Sequence, residues 1–167
     1  MTPQHILVPL DFSPDADQAL DYAMTLARKL HARLTLLHVM APLPMIGMEM
    51  DATVLSTYLE ELEAENTQTM ATYRERVTQA SLPCDVAVVF GTPFQVIIDT
   101  ARARRVDLIV MGTHGRTGLR HLFMGSVAER VVQLAPCAVL VVRVPAPTPA
   151  QERPSEGGES VGGPAET

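Results

Sequence analysis

The sequence predicts an α/β fold: a single doubly wound domain with a five-stranded parallel sheet in the order 3-2-1-4-5 and helices on both faces. Short apolar runs alternate along the chain with segments whose apolar residues recur at helical spacing. The strand-like runs are apolar on both faces, which is typical of a parallel sheet covered by helices on both sides. Because crossover connections between parallel strands are right-handed, a doubly wound topology follows.

The first strand-and-helix unit has a clear boundary between its two elements. An apolar run at residues 6–10 predicts a buried strand. Ser13 is a preferred N-cap residue, Pro14 is favoured at the first helical position, and Asp15 suits the positive end of the helix dipole. Apolar residues at helical spacing continue to Leu30 and predict a helix with one buried face.

The rest of the chain continues this alternation, with two irregular segments. Residues 40–50 contain two prolines, one glycine and four methionines, and predict a loop. Thr92 and Pro93 repeat the helix-start signal of the first unit. The other predicted elements are a strand at 34–39, a long polar helix at 51–80, a strand at 84–90, a strand at 106–111, a glycine-containing loop at 112–124, a helix at 125–134 and a strand at 138–142.

The composition changes sharply near the C-terminus, which predicts one folded domain at residues 1–144 and a separate tail at residues 145–167. The tail has five prolines and four glycines among its 23 residues, and Val161 is its only large apolar residue. Such a segment cannot bury enough apolar surface to offset the entropy of ordering it. We therefore expect the tail to be disordered.

Charge and composition exclude several classes of protein. The formal net charge is -6, whereas nucleic-acid binding needs a basic face, so we expect no nucleic-acid partner. We expect no membrane span, because apolar runs fall short of the roughly 20 residues it needs, and no signal peptide precedes the first strand. Cys84 and Cys137 show no disulfide or metal-ligand spacing. We interpret both as buried core residues of a cytoplasmic protein.

The candidate binding residues follow from where ligands bind in open α/β sheets. Such ligands lie beyond the carboxyl ends of the strands, at the point where the strand order reverses. Pro9, Leu10 and Asp11 end the first strand, and Val39 ends the second. The fourth strand ends at Met111, directly before the glycine-containing loop.

The loop after the fourth strand has the composition of an anion-binding segment. Gly112 and Gly115 allow a tight turn and a close approach of phosphate to main-chain N–H groups. Gly125 and Ser126 open the next helix, whose N-terminus offers further N–H donors and a hydroxyl. Possible cations nearby are His114, Arg116, Arg120 and His121. The segment is neither a P-loop nor a dinucleotide fingerprint, because it lacks Gly-Lys-Ser/Thr and no glycines follow the first strand. We interpret it as a polyphosphate cradle.

The spacing of these residues carries a family resemblance. Gly112, Gly115, Gly125 and Ser126 form the pattern Gly, two residues, Gly, nine residues, Gly-Ser. This pattern resembles the nucleotide signature of the ATP-binding branch of the universal stress protein family. The likeness extends over about residues 3–144, because the first, fourth and last strands also resemble those of the family.

The resemblance implies a role for each position. Pro9, Leu10 and Asp11 would line the adenosine end, with Asp11 near the ribose or base, and Val39 would meet the adenine. The implied neighbours of the sugar and phosphates are Met111, Gly112, His114, Gly115, Arg116, Gly125, Ser126 and Val127. The implied cofactor is ATP with Mg²⁺. The implied assembly is a homodimer through the last strand, Ala138–Val142, whose exposed edge favours a partner in any case.

The resemblance implies a stress-response regulatory protein that binds an adenine nucleotide and acts on an unidentified protein partner through nucleotide-dependent interactions. A slow ATP hydrolase or phosphotransferase is one alternative, and a nucleotide-free dimeric interaction module is another. We assign no catalytic residue, because no carboxylate accompanies the loop histidines to form a relay. We assign no protein metal site, because the five histidines show no metal-ligand spacing. Ser126 has two compatible interpretations, as a phosphate donor and as a helix cap.

Overall fold

The computed structural model describes residues 2–41, 51–113 and 124–143. Five strands alternate with four helices over these residues. In chain order the elements are β1 (His5–Pro9), α1 (Pro14–Leu30), β2 (Arg33–Met40), α2 (Ala52–Gln79), β3 (Cys84–Phe90), α3 (Pro93–Ala103), β4 (Leu108–Gly112), α4 (Ser126–Leu134) and β5 (Ala138–Val142). The predicted element order is therefore confirmed. The methionine-rich segment beyond Ala41 and the tail at 145–167 lie outside the described residues.

The sheet is parallel throughout and has the order β3-β2-β1-β4-β5, which confirms the predicted fold class. The chain runs outward from β1 to β3, returns to the other side of β1 at β4, and reaches the opposite edge of the sheet at β5. The strand order therefore reverses between β1 and β4, where open α/β sheets bind their ligands.

Two hydrophobic layers cover the sheet, because neighbouring residues of a buried strand point to opposite faces. Ile6 and Leu36 belong to the layer under α1 and α2, together with Met70 of α2. Leu7 and Leu37 belong to the layer under α3 and α4. The two strands β1 and β2 are thus apolar on both faces, as the sequence predicts.

The start of β4 differs from the prediction by two residues. The strand begins at Leu108, because the Val106 N–H donates to Ala101 and completes the end of α3. The Asp107 carboxylate accepts hydrogen bonds of 2.9 Å from the backbone N–H groups of Gln4 and His5. Asp107 therefore ties the start of β1 to the start of β4.

The predicted helix starts differ in how they are capped. The Ser13 hydroxyl accepts a 3.2 Å hydrogen bond from the Ala16 N–H, as predicted. Thr92 occupies the N-cap of α3 without a side-chain capping bond. Gly125 occupies the N-cap of α4, and Ser126 is the first helical residue. The interpretation of Ser126 as the cap is therefore wrong, because the helix begins at Ser126 itself, one residue earlier than a cap at Ser126 would require.

Candidate functional site

The turn between β1 and α1 is tightly organised at the carboxyl edge of the sheet. The Leu10 N–H donates to the Leu37 carbonyl oxygen at 2.8 Å, which holds the end of β1 against β2. The Asp11 carboxylate accepts hydrogen bonds from the Ser13 N–H at 3.1 Å and from the Ser13 hydroxyl at 2.6 Å. The side chain of Asp11 is therefore oriented by the cap residue of α1.

The end of β2 lies beside this turn. Pro9, the last residue of β1, pairs with Leu37 of β2. Val39 therefore lies two residues beyond the end of β1. Val39 is partly buried and packs with the layer under α3 and α4. Val127, in the first turn of α4, packs against the same layer. The structure therefore places Val39 and Val127 on one face of the sheet.

The end of β4 packs closely against the first turn of α1. Leu7 pairs with Ile109, which brings Pro9 and Met111 to the same level of neighbouring strands. A Cβ atom on Gly112 would lie 2.8 Å from Asp15 Cβ and 2.9 Å from the Asp15 carbonyl carbon. Gly112 thus has a packing role of its own, because only a residue without a side chain permits this approach.

Thr113 joins the two ends of the glycine-containing segment. Its carbonyl oxygen accepts a 2.8 Å hydrogen bond from the Gly125 N–H, and its own N–H donates to Val142 at 3.2 Å. The Thr113 hydroxyl donates to the Asp15 carboxylate at 3.2 Å. Gly112 and Gly125, the first and last glycines of the signature, are therefore brought together. His114, Gly115 and Arg116 lie outside the described residues, so their positions remain a prediction.

The N-terminus of α4 opens beside this junction. Gly125 has extended backbone angles, and its carbonyl oxygen accepts from the Glu129 N–H to begin the helix. Ser126 is exposed at the first helical position. The first N–H groups of a helix have no partner within the helix and favour a negative charge. Arg130 lies one turn further on, with its guanidinium 4.7 Å from the ring centre of Phe94 on α3.

Sequence reasoning missed a stack of three rings behind the turn. Phe12 stacks on His38 of β2 with 4.2 Å between ring centres, and on Tyr73 of α2 at 5.7 Å. The Tyr73 hydroxyl donates to Asp17 at 2.7 Å. Burial, together with this hydrogen bond, raises the pKa of Tyr73 to about 12. The one available signal was a histidine inside the apolar run of β2.

We searched the described residues for a metal-binding group and for a membrane-spanning helix. Over those residues no group of three or more His, Cys, Asp and Glu side chains is arranged to hold a metal ion. No helix in the described part of the chain is both long and apolar enough to cross a membrane. The arrangement offers one carboxylate at the β1 end and a helix N-terminus at the β4 end, which suits a ligand that is polar at one end and anionic at the other.

The whole described fold matches a known family. Residues 2–143 match the Universal stress protein family. This chain belongs to that family. It is 31% identical over 142 residues to Universal stress protein MJ0531 of Methanocaldococcus jannaschii, covering 84% of this chain and 82% of that protein. The solved structure of the protein MJ0577 has 28% identity and a TM-score of 0.75, covering 87% of this chain and 99% of that one. Universal stress protein UspA from Lactobacillus plantarum has 29% identity and a TM-score of 0.72, covering 86% and 99%.

Two further universal stress proteins of known structure hold nucleotides. One is in complex with cAMP, at 21% identity and a TM-score of 0.65, covering 86% of this chain and 98% of that chain. The other, from Arabidopsis thaliana, has AMP bound, at 17% identity and a TM-score of 0.60, covering 92% and 97%. At these identities the likeness to this protein lies in the fold.

Proposed function

We propose that this universal stress protein binds ATP at the carboxyl edge of β1, β2 and β4, and that the bound nucleotide regulates its interactions. The observation that carries the proposal is the hydrogen bond from the Gly125 N–H to the Thr113 carbonyl oxygen. It brings the signature glycines at both ends of the loop to the N-terminus of α4. A helix N-terminus beside glycines is a favourable place for phosphate groups.

The proposed orientation of the nucleotide follows from the order of the strands. The adenosine end lies at Pro9, Leu10 and Asp11, and a carboxylate such as that of Asp11 accepts hydrogen bonds from hydroxyl groups. Val39 supplies an apolar contact for the adenine. The phosphates lie at the other end, toward Gly112 and α4. Further phosphate neighbours in the proposal are Met111, His114, Gly115, Arg116, Gly125, Ser126 and Val127.

Mg²⁺ enters the proposal with the nucleotide. Protein sites commonly bind Mg²⁺ through one or two carboxylates together with the phosphates of the substrate. The phosphates of ATP are therefore its main ligands here. The chain's own contribution is to hold the phosphates by main-chain N–H groups and the Ser126 hydroxyl.

The proposed homodimer uses the outer edge of β5. Ala138–Val142 pairs with β4 on one side, and β5 is the last strand of the sheet. The second edge of such a strand offers a row of backbone N–H and C=O groups to a partner strand. In the proposal, nucleotide binding affects the edge strand through Thr113, which forms hydrogen bonds with both Gly125 and Val142. In the proposal this link lets bound ATP alter which protein partner the dimer engages.

Titration with ATP in the presence of Mg²⁺ tests the binding proposal directly. Gly115→Val adds a branched side chain inside the proposed cradle, and we expect it to abolish measurable affinity. Gly162→Val makes the same change in the tail, beyond the family match, and should leave the affinity unchanged. Equal affinities for all three proteins would reject the cradle. A wild-type protein that ignores ATP would support the nucleotide-free interaction module instead.

A turnover assay separates regulation from hydrolysis. We expect phosphate release to be negligible in both the wild-type protein and Ser126→Ala. Steady release that Ser126→Ala removes, with ATP affinity retained, would establish the alternative of a slow ATP hydrolase.

A further inference from the structure

The stack formed by Phe12, His38 and Tyr73 connects three elements behind the turn between β1 and α1. Phe12 belongs to the turn, His38 to β2 and Tyr73 to α2. The planes of Phe12 and His38 differ by 13°, and those of Phe12 and Tyr73 by 19°. The ring of Phe12 is therefore in nearly parallel contact with both neighbours, which leaves it little freedom to reorient.

His38 holds the backbone of the turn as well as the Phe12 ring. Its side chain is buried, with the residue 6% exposed, and its Nδ1 lies 2.7 Å from the Leu10 carbonyl oxygen. Because a carbonyl oxygen only accepts, Nδ1 carries the proton and donates it. His38 thus fixes the peptide group that links Leu10 to Asp11.

Tyr73 anchors the other side of the stack to α1. Its hydroxyl donates to Asp17 Oδ1. Arg76, one turn further along α2, forms ion pairs with Asp17 and Asp21. The position of the Tyr73 ring is therefore set by α1 and α2 together.

Phe12 has an unusual backbone conformation that these contacts maintain. Its φ is 64°, in the left-handed region that residues other than glycine seldom adopt. Such conformations persist where the surrounding structure determines them, often at ligand sites. Phe12 follows Asp11 directly, and its left-handed turn brings Ser13 back to the Asp11 carboxylate. The direction of that carboxylate therefore depends on the stack.

We propose that His38 and Phe12 are positioning residues that aim the Asp11 carboxylate at the sugar of the bound nucleotide, and so set a preference for ribose over 2′-deoxyribose. The inference rests on the proposed nucleotide site. A carboxylate discriminates between these sugars by accepting a hydrogen bond from the 2′-hydroxyl, which only ribose carries. A site built for such a bond rejects a ligand that lacks it.

The test compares the Kd for ATP with the Kd for 2′-deoxy-ATP. His38→Phe keeps an aromatic ring and removes the donor to Leu10. Phe12→Gly removes the stacked ring, and glycine accepts the left-handed conformation without strain. We expect each variant to lower the preference for ATP over 2′-deoxy-ATP by about tenfold, toward the preference measured for Asp11→Ala. His38→Asn keeps a donor near the Nδ1 position and is expected to restore part of the preference.

Val77→Ala is the matched control, because it tests whether a loss of stability alone changes the preference for ATP. Val77 is fully buried on α2 and lies outside the ring stack. Its truncation should lower the melting temperature, as the stack variants do, and leave the preference for ATP at the wild-type value.

A second measurement separates positioning from a direct contact. In an Asp11→Ala background, His38→Phe should cause no further loss of ATP affinity, because residues that act through one group are not additive. An unchanged preference in His38→Phe and Phe12→Gly would overturn the inference while leaving the proposed nucleotide site intact. A wild-type protein that binds neither nucleotide would overturn both.

Discussion

The backbone N–H of Gly125 lies 2.8 Å from the carbonyl oxygen of Thr113, to which it donates a hydrogen bond. Twelve positions of sequence separate these residues, and the bond closes them into one junction at the end of β4. Thr113 also bonds Asp15 of α1 and Val142 of β5. The junction therefore links the start of α1, the start of α4 and the edge strand at the proposed nucleotide site.

Gly112→Ala should destabilise the protein through steric contact with α1. The added Cβ would lie 2.8 Å from Asp15 Cβ and 3.0 Å from the Asp15 carbonyl oxygen, and the backbone cannot move aside at low cost. We expect the free energy of unfolding to fall by about 1–3 kcal/mol, the usual range for overpacking. Denaturant titration measures it, with Gly163→Ala in the tail as the control. Equal stability of the two variants would show that the junction relaxes easily.

His5 should make stability depend on pH. It is 3% exposed, and it lies among Thr35, Arg33 and the Arg104 carbonyl oxygen. Burial, and then the Arg33 charge, lowers the pKa of His5 below its ordinary value of 6.5, against smaller opposing effects of the hydrogen bond with the Arg104 carbonyl oxygen and of the Asp107 charge. The folded state therefore binds fewer protons than the unfolded state. The contribution of neutral His5 to the free energy of unfolding is therefore complete above about pH 6.5. It is lost as the pH falls from there through the depressed pKa of the folded state.

His5→Gln tests this dependence. The slope of the unfolding free energy against pH, measured below about pH 6.5, should be smaller in His5→Gln than in the wild-type protein. His31→Asn, at the exposed C-cap of α1, is the control and should retain the wild-type slope. Identical slopes in all three proteins would contradict the assignment.

Cys84 should react slowly with thiol reagents in the folded protein. The structure corrects the expectation that both cysteines are buried core residues, because each is only partly buried where it packs against a hydrophobic layer. Burial, and then the Asp85 charge, raises the pKa of Cys84 from 9.0 to about 11. Because the thiolate is the reactive form, alkylation should be on the order of 100-fold slower than in the unfolded chain. Iodoacetamide labelling of Cys137→Ser with and without denaturant measures the ratio, and equal rates would refute it.

Ala138→Lys should weaken the proposed dimer. Ala138 is exposed at the start of the edge strand, and a lysine on an edge strand opposes pairing with another strand. Light scattering should show dimers for the wild-type protein and a shift toward monomers for the variant. Gln133→Lys adds the same charge on the exposed face of α4 and should remain dimeric. If both variants keep the wild-type mass, the dimer does not use β5.

Sequence signals within a few residues of one another predict the start of α1 and the order of the strands correctly. Ser13, Pro14 and Asp15 mark the start of α1 because capping depends on residues a few positions apart. The order of apolar runs likewise predicts the parallel sheet, because a strand whose residues are apolar on both faces is buried on both faces. The apolar run predicts that β4 starts at Val106, two residues before its true start. The difference arises because the Val106 N–H donates a hydrogen bond to the Ala101 carbonyl oxygen, and that bond depends on how α3 ends.

The ring stack could not be predicted from these signals. Phe12, His38 and Tyr73 come from three separate segments, and no spacing in the chain indicates that they meet. The same holds for the contact between Gly112 and Asp15, where the glycine pattern predicted a ligand role and the structure adds a packing role. Both features arise from the way α1 and α2 pack on the sheet.

The adenine nucleotide content of the purified protein tests the central claim most directly. Acid release followed by chromatography measures the nucleotide carried by the wild-type protein and by Gly115→Val. We predict near-stoichiometric adenine nucleotide in the wild-type protein and its loss in the variant. Nucleotide-free wild-type protein that also fails to take up added ATP would contradict the account, and the glycine-containing segment would then be a structural turn.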